Sequence, residues 1–575
     1  SMSRLSPLQE GMLFHSLYDE QVGAYIEQFT ALMSGLVPEI FIRSWEYLVQ
    51  RYTILRSGFY YDVFKVPVQC VYRDVEIPVI IQDYSHLSQA QQQWAIAAYE
   101  QADRQQSIDL TAAPLMRITL LRTDNDHYRL FWTYHHILMD GWSLAVLLAG
   151  LLEVYEQLAT GQSLPAISVD RYEDYIRYIE RKDRDAAAAY WRKYLGSLEG
   201  AVMLPFINTT EERNKGIGIY KQEHLHIDIT ATLEITRFAQ RNHITLNTLM
   251  QGVWAYLLYR YTGHKDIVYG VTVSGRPDDI PGVEQRVGPY INTLPIYANA
   301  GSDLNVSAWL RAIQADQVNS REYQYTRLND ISRWKNITGE LFDSILVFEN
   351  YPVNKVLYAK QWKLQAEGVS MHEHVNYPLS LVVGIREDIN IHFSYNSSLL
   401  DTCYVTAIAG HFRTALLQMT TNENGRLDDI ELLTAEEYSY LVKANNENSF
   451  VYPTDKTLTD LFEDQVRQTP SLTAILHNNN CLTYQEVEER SNRLAQYLVS
   501  KGVERDMLIP LFIERSPEMI IAMLGVLKSG AAYVPVHPDY PSDRIAYILS
   551  DISATLVLSS VASAGLLQTD LPVIQ

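Results

Sequence analysis

The sequence predicts an α/β protein made of two related lobes followed by a smaller, separate α/β unit. Three observations carry that expectation. Strand-like segments run into the turn His135-His136-Ile137-Leu138-Met139-Asp140-Gly141-Trp142-Ser143, and an apolar helical run follows it. The segment Trp45-Glu46-Tyr47-Leu48-Val49-Gln50-Arg51-Tyr52-Thr53 is echoed by Trp254-Ala255-Tyr256-Leu257-Leu258-Tyr259-Arg260-Tyr261-Thr262, which suggests two copies of one fold. A polar stretch over 434–455, with Asn445-Asn446-Glu447-Asn448 and Pro453, then reads as a linker before a renewed βα alternation.

Bulk properties bound the rest. A chain of 575 residues exceeds one ordinary core and asks for roughly three or four folding units. Hydrophobic residues make up 47% and charged ones 20%, so these units are expected to be well packed and soluble. A formal charge of -21 argues against a nucleic-acid groove or an anionic membrane as partner. Cys70, Cys403 and Cys481 lie far apart without metal-ligand spacing, which suits a reducing cytoplasm. The start carries no signal-like pattern, and the run Leu144 to Leu152 is about half of what a membrane span needs. A cytoplasmic location is expected.

In chain order, Ser6-Pro7 opens a helix whose apolar residues recur at helical spacing. His15 in it has no acidic or nucleophilic companion and reads as a packed or surface histidine. A second helix covers 41–52. Segments 116–121 and 128–134, rich in aromatic and branched residues, flank Thr123-Asp124-Asn125-Asp126 and predict a hairpin. The turn after it enters a helix whose N-cap is expected to be Ser143. A charged connector helix is predicted over 177–195. In the second half the strand 266–273 runs into Ser274-Gly275-Arg276-Pro277, and no second histidine pair follows it. Val287-Gly288-Pro289-Tyr290-Ile291-Asn292-Thr293-Leu294-Pro295 reads as a Gly-Pro turn and a short strand. Further strands are predicted at 342–349 and 389–395. Beyond the linker, helices at 459–468 and 484–501, a strand at 473–476 and a helix-turn-strand unit over 519–535 complete the βα pattern.

The histidine turn is the candidate site. Adjacent strand residues point to opposite sides, so His135 and His136 cannot share one pocket. His136, nearer the turn, is better placed to project into a cleft, where a neutral imidazole can take a proton from a nucleophile. Asp140 would either orient that imidazole or brace the turn through an ion pair. Gly141 permits close backbone approach at a helix start. Zinc needs three or four ligands and no third ligand has the spacing, and no Gly-x-Ser-x-Gly elbow is present. Direct transfer of an acyl group to an amine or hydroxyl, without a covalent enzyme intermediate, fits the residue set, and a merely packed histidine pair fits the spacing equally well. One site at the junction of the two halves is the economical arrangement.

The turn resembles the His-His-x-x-x-Asp-Gly signature of condensation domains of nonribosomal peptide synthetases, relatives of chloramphenicol acetyltransferase. Other segments match in the family's order: 5–17, 51–59, Tyr172-Glu173-Asp174-Tyr175, 287–295, and Asn376-Tyr377-Pro378-Leu379. The resemblance implies two acetyltransferase-like lobes in a V, over 1–175 and 176–433, then a linker over 434–456. It implies a tunnel in which a carrier-bound acceptor amine attacks a carrier-bound peptidyl or acyl thioester. By motif match His136 positions or deprotonates the amine, with Gly141 beside it. His135, Asp140 and Arg276 are structural, and an ion pair between Asp140 and Arg276 is expected to displace any Asp140–His136 contact. Trp142, Tyr290 and Asn292 are candidates for the tunnel wall. No cofactor is expected to be bound covalently, since phosphopantetheine would arrive on upstream donor and downstream acceptor carrier domains.

Residues 457–575 resemble the beginning of an adenylation domain, through Leu482-Thr483-Tyr484-Gln485-Glu486 and Leu527-Lys528-Ser529-Gly530-Ala531-Ala532-Tyr533-Val534-Pro535. The family's later phosphate loop and C-terminal lysine are absent, so no adenylation is expected of this part alone. Two rivals remain: an epimerisation domain, which shares the histidine turn but differs around 287–295, and a catalytically silent module that gathers carriers. A heterocyclisation domain would carry aspartate in place of His135.

Overall fold

A computed structural model describes residues 1–18, 25–207, 218–301, 304–349, 356–357, 361–372, 376–448, 450–478 and 480–575; the side chains of His15, Leu17 and Tyr18 fall outside it. The chain forms two compact units, Ser1–Lys443 and Ala444–Gln575.

The first unit holds two large sheets. One has the strand order Gln365–His372, Ile26–Ser34, His127–His135, Met116–Arg122 and Val79–Asp83. The other runs Asn292–Asn299, Asp266–Val273, Ser344–Glu349, Leu379–Ile385, Ile389–Asn396 and Tyr220–Ile227. His127–His135 is central to its sheet and covered on both faces. Leu130, Trp132 and Tyr134 enter the first core, while Phe131 meets Tyr99 on the opposite side, as strand alternation requires.

The echoed segments both form helices, Pro38–Arg51 and Leu246–Thr262, and occupy corresponding places. Pro38–Arg51 packs on Gly141–Ala159, and Leu246–Thr262 packs on Thr402–Thr421. Each of these second helices follows an antiparallel hairpin, Met116–Arg122 with His127–His135 in one lobe and Leu379–Ile385 with Ile389–Asn396 in the other. The second lobe's counterpart of the histidine turn is therefore Ser397-Ser398-Leu399-Leu400-Asp401, and not the segment that follows Asp266–Val273. It carries no histidine.

The lobes are not two consecutive stretches of chain. Gln365–His372, from the second half, pairs antiparallel with Ile26–Ser34, and Ile280, Val283, Val287, Tyr290, Leu357, Trp362 and Leu364 join the first core. A boundary at 175/176 thus marks where the chain changes lobe for the first time only. The expected connector helix is two helices, Glu173–Glu180 and Arg184–Tyr194. Asp183 interrupts it by accepting hydrogen bonds from Asp185 N (2.9 Å) and Ala186 N (3.0 Å), an N-cap within the predicted span. The first unit also runs past 433. Thr434 and Glu437 form a capping box, and Glu437 Oε2 lies 2.9 Å from His411 Nε2 on Thr402–Thr421, which holds the start of the expected linker against the lobe.

Gly141–Ala159, with 19 residues, is by length and composition apolar enough to cross a membrane, longer than the short run read from the sequence. Its Leu144, Leu147, Leu148, Leu151 and Leu152 are buried in the first core, as a core helix demands.

The second unit has a parallel sheet in the order Ala532–Pro535, Leu508–Phe512, Val557–Ser559 and Val573–Ile574, and a hairpin of Thr473–His477 with Asn480–Thr483. Its Leu-Thr-Tyr-Gln-Glu motif is a capping box: Thr483 Oγ1 accepts from Glu486 N, and Glu486 Oε2 accepts from Thr483 N at 2.8 Å. In the second motif the Lys528 side chain is 6% exposed and anchored by Glu488 Oε2 at 2.5 Å and Asn492 Oδ1 at 2.8 Å.

Candidate active site

At the end of His127–His135 the chain makes a short 3-10 turn, His136–Leu138, and Asp140 then starts the helix Gly141–Ala159. Asp140, and not Ser143, is the N-cap: its Oδ1 accepts from Ser143 N at 2.8 Å, because the third helical N–H lies within reach of a carboxylate at the cap position.

The two histidines separate as the strand geometry requires. His135 is buried, its Nδ1 accepts from Ile137 N at 3.1 Å, and its Nε2 lies 3.3 Å from Ser16 Oγ. Burial, followed by the neighbouring His136 charge, pushes its pKa down to about 3. His135 is a neutral part of the scaffold. His136 keeps 16% of its side-chain exposure, and its Nδ1 stands 3.2 Å from Glu27 Oε1, off the line of a well-aligned hydrogen bond. Burial works to lower the His136 pKa, but the Glu27 carboxylate, with a smaller contribution from Asp140, outweighs it, and the net shift is upward.

Asp140 is fully buried and faces the second lobe. Arg276 Nη2 donates to its Oδ1 at 3.1 Å, and Tyr290 N donates to its Oδ2 at 3.0 Å. Arg276 also donates to Ser143 Oγ (2.9 Å), Val283 O (2.6 Å) and Arg286 O (2.9 Å), and its guanidinium lies 4.3 Å from the centre of the Tyr290 ring. Gly275, at φ +57°, permits this approach; a Cβ there would collide with Tyr290 O. No direct Asp140–His136 hydrogen bond occurs among the described residues.

Of the other sequence motifs, one touches the turn and the others pack on the 287–295 segment and on Thr53. Gln9 Nε2 donates to Ile137 O at 3.2 Å, so the opening helix braces the turn. Tyr172 OH donates to Pro289 O at 2.9 Å, Tyr175 OH to Tyr290 O at 3.4 Å, and Arg286 reaches Asp174 at 3.2 Å. Glu173 accepts from Thr53 Oγ1 at 3.0 Å.

A cavity of about 740 Å³ lies between the lobes. His136, Gly141, Glu27, Tyr25, Glu10 and Phe14 line it from the first lobe, and Asn292, Arg327, Glu340, Val347, Asn376 and Tyr377 from the second. Of the candidates for the wall, Asn292 is on it, with Nδ2 donating to Gln324 O (2.7 Å) and Thr326 O (2.8 Å). Trp142 and Tyr290 are not. The Trp142 indole is tied to Glu284 O at 2.8 Å, and the Tyr290 ring is buried among Tyr172, Tyr175 and Arg276, so both join the lobes away from the cavity. Glu10 and Arg327 meet across it at 2.6 Å. Sequence reasoning does not single out Glu27 or Glu340; the available signal for the first is a Glu-Gln pair inside an apolar strand.

The site is thus a cavity at a lobe junction, with one accessible histidine and an aspartate turned to the opposite lobe. Comparison with known proteins gives the chain a family. Residues 1–442 match the family described as Condensation domain. The chain belongs to the condensation-domain family. Residues 462–573 match the AMP-binding enzyme family. Curated relatives include a linear gramicidin synthase of Brevibacillus parabrevis, 38% identical over 97% of this chain and 7% of its own length, and gramicidin S synthase 2 of Brevibacillus brevis, 34% identical over 96% and 12%. The chain therefore spans only a small part of the relatives it matches. Among solved structures, a four-domain nonribosomal peptide synthetase bound to AMP and glycine aligns over 100% of this chain and 44% of its own, at 18% identity and a TM-score of 0.75. The first condensation domain of the calcium-dependent antibiotic synthetase, solved with a substrate analogue, aligns over 76% of this chain and 100% of its own, at 18% identity and a TM-score of 0.61. These two likenesses establish the shared fold. The condensation domains of nonribosomal peptide synthetases are amide-bond-forming enzymes of the acyltransferase type, and this chain is one of them.

Proposed function

We propose that this condensation domain joins a carrier-bound peptidyl or acyl thioester to the amine of a carrier-bound aminoacyl thioester in the cavity between its lobes. The observation that carries this reading is the placement of His136 and Gly141 on the wall of a cavity lined by both lobes. The acceptor nitrogen attacks the donor carbonyl carbon, a C–N bond forms, the C–S bond breaks, and the departing thiolate receives the proton the amine gives up. No covalent bond to the protein is required.

His136 positions the amine and relays its proton, and the Glu27 carboxylate beside it raises the pKa of its imidazole. Orientation of two tethered reactants supplies much of the acceleration. The helix that starts at Gly141 directs backbone N–H groups toward the turn, where developing negative charge on the thioester oxygen is favoured. Asp140 and Arg276 hold the turn against the second lobe. Phosphopantetheine arms on upstream and downstream carrier domains deliver the two substrates, the protein works in the cytoplasm, and residues 457–575 carry no adenylation activity of their own.

The test supplies donor and acceptor amino acids as pantetheine or carrier thioesters and measures dipeptide by mass spectrometry. Dipeptide is expected. Deuterium uptake at the donor α-carbon without a new amide would establish epimerisation instead, and neither outcome would leave a carrier-gathering module.

A further inference from the structure

Beside His136 the cavity wall carries Glu27, an ionisable group that the family match does not identify. Glu27 lies on Ile26–Ser34, opposite Tyr134 of the strand that ends at His135. The two faces of its strand divide cleanly. Gln28 points into a buried polar network, donating to Asp103 Oδ2 (2.6 Å) and Thr133 Oγ1 (3.2 Å), whereas Glu27 points the other way, onto the cavity wall, as adjacent strand residues must. Only 7% of its side chain is exposed, and among the described residues its one ion-pair partner is His136, at 3.2 Å. A buried carboxylate facing a single imidazole is costly unless that imidazole carries a proton toward it.

We propose that Glu27 is the positioning residue of His136: it holds Nδ1 protonated and fixes the ring, so that Nε2 is the nitrogen offered to the acceptor amine. This rests on the reading of His136 given above. The strand arrangement makes the placement rigid. Ile26–Ser34 is clamped between His127–His135 and Gln365–His372, so Glu27 is fixed relative to the turn by hydrogen-bonded neighbours on both edges. The groups that set the charge of the imidazole are then Glu27 from that strand, His135 beside it, and Asp140 at the helix start, the last already neutralised by Arg276 from the second lobe. Among the described residues, Glu27 is the anion of this set whose one cationic partner is His136. Fixing one ring nitrogen by a carboxylate selects the tautomer of the other, and it leaves the pair able to hold one proton while the amine is brought to the thioester.

The experiment compares the whole chain with its E27Q, E27D and E27A variants. Imidazole NMR titration, with the His136 resonance identified by its loss in H136Q, reads the protonation of His136 directly. Dipeptide formation from thioesters is followed against pH in parallel. In E27Q the His136 midpoint is expected to fall, since the neutral amide no longer stabilises the imidazolium. The acidic limb of the rate profile should move to lower pH, and the maximal rate should drop by about 10- to 1,000-fold with the acceptor KM little changed. E27D, which keeps the charge, recovers part of the rate. An unmoved His136 midpoint in folded E27Q overturns the proposal whatever the rate does, and so does a shifted midpoint with an unchanged rate. The His136 reading fails by a different result, an H136A chain that makes dipeptide at full speed.

Discussion

Replacing Arg276 with alanine should loosen the first unit by an amount that its contacts allow to be worked out. The guanidinium makes hydrogen bonds to Asp140 Oδ1 (3.1 Å), Ser143 Oγ (2.9 Å), Val283 O (2.6 Å) and Arg286 O (2.9 Å) and covers the Tyr290 ring. Both ion-pair partners are desolvated, with side-chain exposures of 7% and 0%. Removing one member of a buried pair costs about 3–5 kcal/mol, because the other charge stays buried. Asp140 retains Ser143 N, Ser143 Oγ and Tyr290 N as donors, so its charge is not left bare and the lower end, about 3 kcal/mol, is expected. Removing the charge as well, in Asp140→Asn with Arg276→Ala, should cost less than the sum of the single changes by about 1 kcal/mol or more. Urea unfolding followed by tryptophan fluorescence suits the measurement, since all nine tryptophans lie between Trp45 and Trp362, inside the first unit. A loss below about 1 kcal/mol for Arg276→Ala, or strict additivity in the cycle, would refute the claim that this pair fastens the turn to the second lobe.

Three further outcomes follow from the same geometry. His136→Ala should slow dipeptide formation from pantetheine thioesters by about 10²- to 10⁴-fold; a rate equal to that of the unsubstituted chain removes it from the mechanism. The histidines give opposite pH dependences. With a folded pKa of about 3 for His135, the unfolded chain takes up a proton that the folded one refuses as pH falls below the ordinary value of about 6.5, so stability drops by about 1.4 kcal/mol per pH unit in that window. His136, whose folded pKa is raised, stabilises below its unfolded value and loses that contribution as pH rises through the folded one. Urea midpoints of His135→Gln between pH 7 and pH 5 should lack the acid loss, and an unchanged slope contradicts the assignment. Trp142→Phe removes the bond to Glu284 O but no cavity wall, so the apparent KM for a bulky donor thioester should stay within about twofold.

What can be read from the sequence follows a physical line between local and nonlocal causes. The hairpin, the histidine turn and its helix are written in neighbouring residues: aromatic and branched residues up to the turn, residues able to cap after it, then leucines. The echo at Trp45 and Trp254 marks equivalent helices because each tryptophan packs on its own lobe's sheet. The placement of Ser143 as cap fails within that local range, since aspartate and serine both cap well and only the reach of the Asp140 carboxylate to Ser143 N distinguishes them. The break at Asp183 escapes for a similar reason: the alanines after it favour helix, and a single side-chain cap overrides a continuous reading. Nonlocal features are not legible. That Gln365–His372 crosses to the first sheet, or that Trp142 and Tyr290 bridge lobes instead of lining the cavity, depends on contacts between residues more than a hundred positions apart.

Glu27 shows why the candidate site is only half visible in the sequence. A lone glutamate in a strand gives no spacing pattern, and its meaning arises when strand pairing sets it beside the end of another strand and the pleat turns it to the same side as His136. The signature His-His-x-x-x-Asp-Gly supplies the residue that meets substrate and the aspartate that meets Arg276. The charge that sets the state of His136 comes from about a hundred residues earlier, in a strand clamped by the second half of the chain. A site assembled this way needs strands from both halves of the chain in place before His136 acquires its pKa. Loosening the Asp140–Arg276 fastening should therefore alter the pH dependence of dipeptide formation as well as stability. A change in stability alone, with the rate profile unmoved, would mean that the turn and Glu27 keep their geometry without the second lobe's arginine.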